Sequence, residues 1–175
     1  MKRVEIKIIN DGPFVVSGNI SLDKQIIGVN NEGYPDKWIH GKRYPLQNIY
    51  SLCRCGESKK KPFCDGSHLL VNFIGSETAI REPFIKQAEE IDGLTLKLLD
   101  AEELCALARF CDRAGGIRKH IRQSDNPESR KIAIEESGDC PSGSLVINDK
   151  KTGKIIEPNF KPSISIVEDL SLIHI

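Results

Sequence analysis

Apolar and polar residues alternate with period two over residues 4–9 (VEIKII), the pattern of a strand with one face buried. The cluster NDGP at 10–13 predicts a turn, and residues 14–16 the returning strand. A second extended pair is expected at 25–29 and 37–39, joined by the turn-rich stretch 30–35, with a further short strand at 49–53. The first fifty residues therefore read as a small β-sheet. Residues 76–99 read as a connection with one short helix, 84–91, ended by Asp92 and Gly93. At Asp100 the pattern changes. Asp100 and Glu103 have capping-box spacing, LCALARFCDR continues as a strong helix former, and Gly115 and Gly116 stop it. Another turn or two is expected at 117–123. Asn126 followed by Pro127 predicts a fresh helix start, running to about Glu136. Residues 144–156 read as a β-hairpin around a glycine-containing loop, and 159–169 as an extended segment.

Composition narrows the class. The chain has 175 residues, 39% hydrophobic and 29% charged, as expected of a soluble globular protein with one ordinary domain or two small ones. Its 25 acidic and 25 basic residues cancel, which argues against nucleic acid or an anionic membrane as partner. The one basic run, Lys59, Lys60 and Lys61, reads as a solvated loop. No stretch approaches the roughly 18–20 apolar residues of a membrane span, and the N-terminus lacks the apolar core of a signal peptide. A cytoplasmic location is expected, where six cysteines serve as metal ligands or catalytic groups more readily than as disulfides.

The chemistry concentrates between residues 53 and 68. Cys53, Cys55, Cys64 and His68 stand at C-x-C-x8-C-x3-H, four metal-binding side chains in one short run. Zinc sites space their cysteine pairs as C-x2–4-C. A single intervening residue points the two side chains oppositely in an extended chain, so this pair straddles two metal centres or sits on a bent loop. The spacing tilts the balance from zinc towards a cluster. A disulfide between Cys53 and Cys55 would be strained.

Cys53, Cys55, Ser58, Pro62, Cys64, Asp65, Gly66, Ser67 and His68 together resemble the motif of the mitoNEET-like CDGSH iron–sulfur domain family. The resemblance implies a 2Fe–2S cluster, with Cys53 and Cys55 on the inner iron and Cys64 and His68 on the outer, more exposed one. Three thiolates and one neutral imidazole would leave the site near −1, against about −2 for four thiolates, so it accepts an electron more readily. Two histidines in Rieske centres raise the potential from about −400 mV to about −150 mV or above, and one should give an intermediate value. Only neutral imidazole ligates, so protonation of His68 competes with iron. Asp65 is expected to cap the turn leading to His68, and Gly66 to take a backbone angle that other residues resist.

Cys105, Cys111 and Cys140 form a second constellation, C-x5-C followed at a distance by Cys140 and Pro141. Residues 100–147 resemble the divergent single-cluster 4Fe–4S ferredoxin domains, with Ala108 where the middle cysteine of the run would stand. Three thiolates would suit a 3Fe–4S cluster, or a 4Fe–4S cluster with one non-cysteine ligand. If 101–113 is a straight helix, Cys105 and Cys111 lie about 240° apart around its axis and do not face one metal. The alternative is that these cysteines are structural, since free cysteine is often buried. His40 and His120 read as surface or hydrogen-bonded residues, and Arg109, Asp112 and Arg113 as helix-surface charges.

The expected class is α+β. A β-rich region at 1–75 carries the CDGSH motif at 53–68. A connection at 76–99 leads to a helical cysteine-containing domain with a β-hairpin at 100–157, and an extended tail follows at 158–175. The last six residues break the preceding pattern, which suggests a foreign tail on a truncated chain, with His174 not functional. Chains that resemble this one often continue to a second CDGSH motif, whereas a single motif resembles the homodimeric members. No Ser/His/Asp arrangement, phosphate loop or carboxylate pair stands out. The expectation is a carrier of electrons or clusters serving a redox protein or an apo-acceptor, not a catalyst. The alternatives are a zinc-stabilised interaction module and a subunit of a redox enzyme.

Overall fold

The computed structural model describes residues 4–167, and the expectations for the last six residues and His174 fall outside them. The chain divides into two compact units. The first takes the described residues up to Lys24, with Gly41–Ile80 and Lys161–Ile166; the second takes Gln25–His40, Arg81–Phe160 and Val167. The α+β class holds.

In the first unit, β1 (Glu5–Ile8) and β2 (Phe14–Ser17) form the expected hairpin. Its turn is closed by the Ile9 amide on Pro13 O and the Gly12 amide on Ile9 O, both at 3.1 Å. β2 pairs on its other side with β5 (Ile49–Leu52), so the sheet order is β1-β2-β5. Val16, Tyr50 and Leu52 are buried with Ile20 and Leu22 in one core. Phe63 packs edge-on to Tyr44 and Tyr50, with ring centroids at 5.3 and 6.3 Å. The alternation in β1 marks a strand, but Ile6 and Ile8 remain exposed because β1 is a sheet edge with nothing packed on that face among the described residues.

The second predicted strand pair is longer than its apolar pattern. β3 (Ser21–Val29) and β4 (Pro35–Arg43) form a hairpin whose turn is held by Asn30, whose Oδ1 accepts the amides of Glu32 and Tyr34 at 2.9 and 3.0 Å. Asn30 thereby replaces a strand partner for a turn amide. This hairpin joins β10 (Ser163–Val167) in a sheet ordered β10-β3-β4, so residues 163–167 of the extended segment expected at 159–169 form a strand, and 168–169 lie outside the described residues.

The second unit is built on an antiparallel sheet. Only Phe84–Gln87 (α2) of the helix expected at 84–91 is helical; β6 (Glu89–Asp92) follows, then β7 (Leu96–Asp100). Residues expected as mere connection thus supply two strands. With β8 (Leu145–Asp149) and β9 (Ile155–Ile156), the predicted hairpin, the order is β6-β7-β8-β9. Leu96, Leu98 and Ile147 are fully buried under α3 (Ile117–Arg122) and α4 (Pro127–Gly138), which contribute Ile117, Ile121 and Ala133. α4 starts where predicted: Asn126 Oδ1 accepts the amides of Glu128 and Ser129, and Pro127 needs no acceptor. Gly93 is required by contact, since a Cβ there would lie 1.8 Å from Ile121 O.

The helix expected over 101–113 does not form, a correction to the helical reading of this domain. Two 3-10 turns stand in its place, Glu102–Leu104 and Phe110–Gly115, with left-handed backbone at Leu107, Arg109 and Ala114 (φ 55°, 61° and 52°). Asp100, expected as the cap, ends β7 opposite Leu145, and the Ala101 amide donates to Ser144 O at 2.9 Å. Those sheet bonds, with Ala101, Ala108 and Phe110 buried, outweigh a propensity gain of only tenths of a kcal/mol per residue.

Behind this loop Glu136 is fully buried, its nearest cation the Arg113 Nε at 4.0 Å, and neither carboxyl oxygen has a hydrogen-bond partner. Burial pushes its pKa up to about 8, against Arg113 and with Asp112 and Asp139. The folded protein therefore keeps a proton that an unfolded glutamate releases near 4.5. Stability should fall as pH rises from 4.5 to about 8, by about 1.4 kcal/mol per pH unit at the steepest. Glu136→Gln should flatten that slope in urea unfolding measured across the window. Asn126→Ala should cost about 1 kcal/mol at any pH in the same assay.

Candidate metal centres

The loop from Cys53 to Cys64 is a continuation of strand pairing. Leu52 bridges Phe63, the Cys53 amide donates to Pro62 O at 2.7 Å, and the Cys64 amide donates to Ser51 O at 2.9 Å. Both ends of the loop are therefore tied, and Cys53 and Cys64 are anchored on paired backbone. Inside the loop Ser58 is buried; its hydroxyl donates to Phe63 O at 2.6 Å and accepts the Lys60 amide at 3.0 Å. Gly56 turns the chain at φ 82°. Lys59, Lys60 and Lys61 are exposed, in keeping with a solvated run.

Asp65 ties this loop to the short helix α1 (Ser67–Leu70) that carries His68. Its Oδ1 accepts the Ser67 hydroxyl at 2.7 Å and amide at 3.1 Å, while Oδ2 accepts the Lys59 amide at 2.9 Å. The Ser67 hydroxyl, then the Lys59 and Ser67 amides, hold the carboxyl well below the usual carboxylate range. Gly66 takes φ 90°, so both expectations for this turn hold. One contributor was not read from the sequence. Arg54 donates to Ile9 O at 3.2 Å and lies over the rings of Phe14 and Phe73, 5.5 and 5.6 Å from their centroids. Its position between Cys53 and Cys55 was the signal.

The four donors stand as two pairs. Cys53 Sγ and Cys55 Sγ are 3.8 Å apart, and Cys64 Sγ and His68 Nδ1 are 3.4 Å apart. The bent-loop reading of the C-x-C pair is the one realised. Two thiolates on one tetrahedral metal stand about 3.8 Å apart, and a thiolate and an imidazole nitrogen about 3.5 Å, from bond lengths near 2.3 and 2.0 Å. Each pair thus spans the edge of one tetrahedron, and all three cysteines are free thiols. Cys55 Sγ accepts the Glu57 amide at 3.5 Å. Burial pushes the Cys53 thiol up, but the amides of Ser58, Gly56 and Cys55 and the Cys55 thiol outweigh it, so its pKa is lowered. That favours the thiolate a metal needs.

In the second unit, Cys105, Cys111 and Cys140 line one cavity of about 290 Å³. The left-handed residues Leu107 and Arg109 remove the helical separation that would have kept the first two apart. Cys105 Sγ accepts the Leu107 amide at 3.3 Å, the same i+2 bond as in the first centre. Cys140 Sγ lies 3.5 and 3.4 Å from the hydroxyls of Ser142 and Ser144; burial raises its pKa, and these two serines more than offset it. Both serines escaped sequence reasoning, although the string CPSGS places them beside the thiol. The Cys111 thiol is pushed up to about 11 by burial, then by the charges of Asp112, Cys105 and Cys140. A bound cation would invert that preference. His120 is buried, with Nε2 2.9 Å from Ala114 O, and is hydrogen-bonded as expected; His40 is exposed. Among the described residues, no three His, Cys, Asp or Glu side chains converge on a single-ion position.

Residues 11–69 match the family model of the iron-binding zinc finger of CDGSH type, and residues 91–150 match that of the divergent 4Fe–4S mono-cluster. The chain carries these two iron–sulfur cluster-binding domains in tandem. No curated protein matches it. No helix among the described residues is long and apolar enough to cross a membrane. Because Ser58 braces the ligand loop with two hydrogen bonds, Ser58→Ala should cost about 1–3 kcal/mol locally and speed iron loss to a chelator roughly tenfold. Visible absorbance during the chelator challenge measures it.

Proposed function

We propose that Cys53, Cys55, Cys64 and His68 hold a 2Fe–2S cluster, Cys53 and Cys55 on one iron and Cys64 with His68 on the other. In this reading the protein passes electrons, or the cluster itself, to a redox protein or an apo-acceptor. The observation that carries it is the pairing of the donors at 3.8 and 3.4 Å, while among the described residues no three such donors converge on one ion. The bound cluster supplies a one-electron site with a potential between those of four-thiolate and Rieske centres. The chain's own part is to favour the Cys53 thiolate, to hold His68 against Cys64 through the Asp65 turn, and to fix both loop ends on the sheet. His68 binds only as neutral imidazole, so acid competes with iron at this one ligand. Cys105, Cys111 and Cys140 are read as thiols of a second cluster, supported by their shared cavity.

Anaerobically purified protein should be coloured, with the EPR signal of a reduced 2Fe–2S centre; colourless protein containing zinc would end this reading. Transfer of the cluster to an apo-ferredoxin, followed against stopped-flow reduction, separates the two modes of carriage. Below neutral pH the visible band of this cluster should bleach. His68→Cys should keep it in acid and lower its potential; bleaching at the wild-type pH would remove His68 from the ligand set.

A further inference from the structure

The cavity of the second unit has a side of a different chemistry. Cys105, Ala108 and Cys111 follow one another at intervals of three, and Ala108 lines the same cavity as the three thiols while being 5% exposed. Leu107 and Arg109 flank it with left-handed backbone, so the chain doubles back on either side of Ala108. At this position the loop presents a methyl group, which binds no metal.

Two carboxylates of the cavity are each engaged through one oxygen. Asp112 Oδ2 accepts Arg109 Nε at 2.9 Å, and Asp100 Oδ2 accepts Arg118 Nη2 at 2.8 Å. Ser144 Oγ stands 3.4 Å from Cys140 Sγ, one tetrahedral edge, which is too close to serve a different iron from the one Cys140 would hold. Glu102 is exposed at the rim. Freeing Asp112 or Asp100 would break a charge-assisted bond and leave a guanidinium at the cavity without its partner. Three thiols therefore line the cavity, and no fourth thiol or imidazole stands among the residues around it.

Resting on the reading that this cavity holds a cluster, we propose that Cys105, Cys111 and Cys140 bind a three-iron, four-sulfide cluster whose vacant corner faces the methyl of Ala108. This departs from the four-iron group of the matched family description. Each thiolate serves one iron. Lys119 also lines the cavity, while Arg109 and Arg118 there are paired with Asp112 and Asp100.

Iron and sulfide counting with EPR of the oxidised protein, prepared without added oxidant, tests the proposal. Oxidised two-iron and four-iron clusters are EPR-silent, whereas the oxidised three-iron cluster is paramagnetic, so the first centre does not interfere. The full chain should contain about five irons and six sulfides and give the three-iron signal. Ala108→Cys should raise the count to about six irons and abolish the signal, and Ala108→Gly should retain it. Mössbauer spectra of intact isotope-enriched cells read the cluster before handling, which excludes a four-iron centre that lost an iron during purification. About six irons with a silent oxidised wild type would overturn the three-iron assignment while keeping a second cluster. A three-iron signal surviving in Ala108→Cys would overturn the role given to Ala108. About two irons would overturn the second cluster itself, and about three with the signal present would instead remove the 2Fe–2S reading of the first centre. The wild-type count decides by itself if the cysteine variant fails to fold.

Discussion

The first centre depends on the backbone bridge between the end of β5 and residues 62–64. Two amide bonds, Cys53 to Pro62 and Cys64 to Ser51, carry the strand ladder across the mouth of an otherwise irregular loop. Without them Cys53 and Cys64 would be separated by a free loop of ten residues, and bringing them together would carry the full closure entropy. With them the closure is made by the sheet, whose core of Val16, Tyr50 and Leu52 forms for its own reasons. Phe63 links the two roles: its backbone bridges Leu52 and its ring packs on Tyr44 and Tyr50.

The second centre is organised by the opposite device. Strand β7 ends at Asp100 and β8 begins at Leu145, paired with it, so the chain between them leaves and returns at one point of the sheet. α3 and α4 cover the sheet, and the loop before them is irregular, with the left-handed turns at Leu107, Arg109 and Ala114 bringing Cys105 and Cys111 to the cavity that Cys140 enters from the far end of α4. Strained backbone of this kind persists where its surroundings fix it, here by burial of Ala108 and Phe110 and by Arg113, which reaches Asp36 O and Asp139. Trp38 packs on Phe110 at 4.7 Å and donates to Asp139 O, which fixes the same loop from another side.

Both centres treat their sulfurs alike. Cys55 and Cys105 each accept the amide two residues on, and Cys140 receives two hydroxyls. Hydrogen bonds to sulfur favour the thiolate, and they cost little to arrange because they come from residues already in the turn. The centres differ in burial and charge: the Cys53 thiol is lowered by its amides, whereas the Cys111 thiol is raised by burial and by its neighbours. Without metal the Cys111 thiol resists ionisation, so binding a metal there is coupled to loss of its proton.

Much of the first centre was legible because its four metal-binding side chains are close in sequence and Ser58, Asp65 and Gly66, which shape the loop, lie within the same short run. Local chemistry there is nearly the whole of the geometry. The turns at Asn30 and Asn126 were legible for the same reason, since a side chain capping its own backbone needs no distant partner. The helix predicted over 101–113 is the contrary case. Its propensity and caps were real, but the choice belonged to sheet bonds from Ala101 to Ser144 and to the burial of Phe110, contacts that no local pattern encodes. By itself the sequence determined which residue types could bind metal in the first loop, and left open whether its C-x-C pair straddles two centres or bends onto one. Only the tertiary structure decided that Cys105, Cys111 and Cys140 share a cavity, because burial and long-range hydrogen bonds, not residue spacing, set the path of the chain between them.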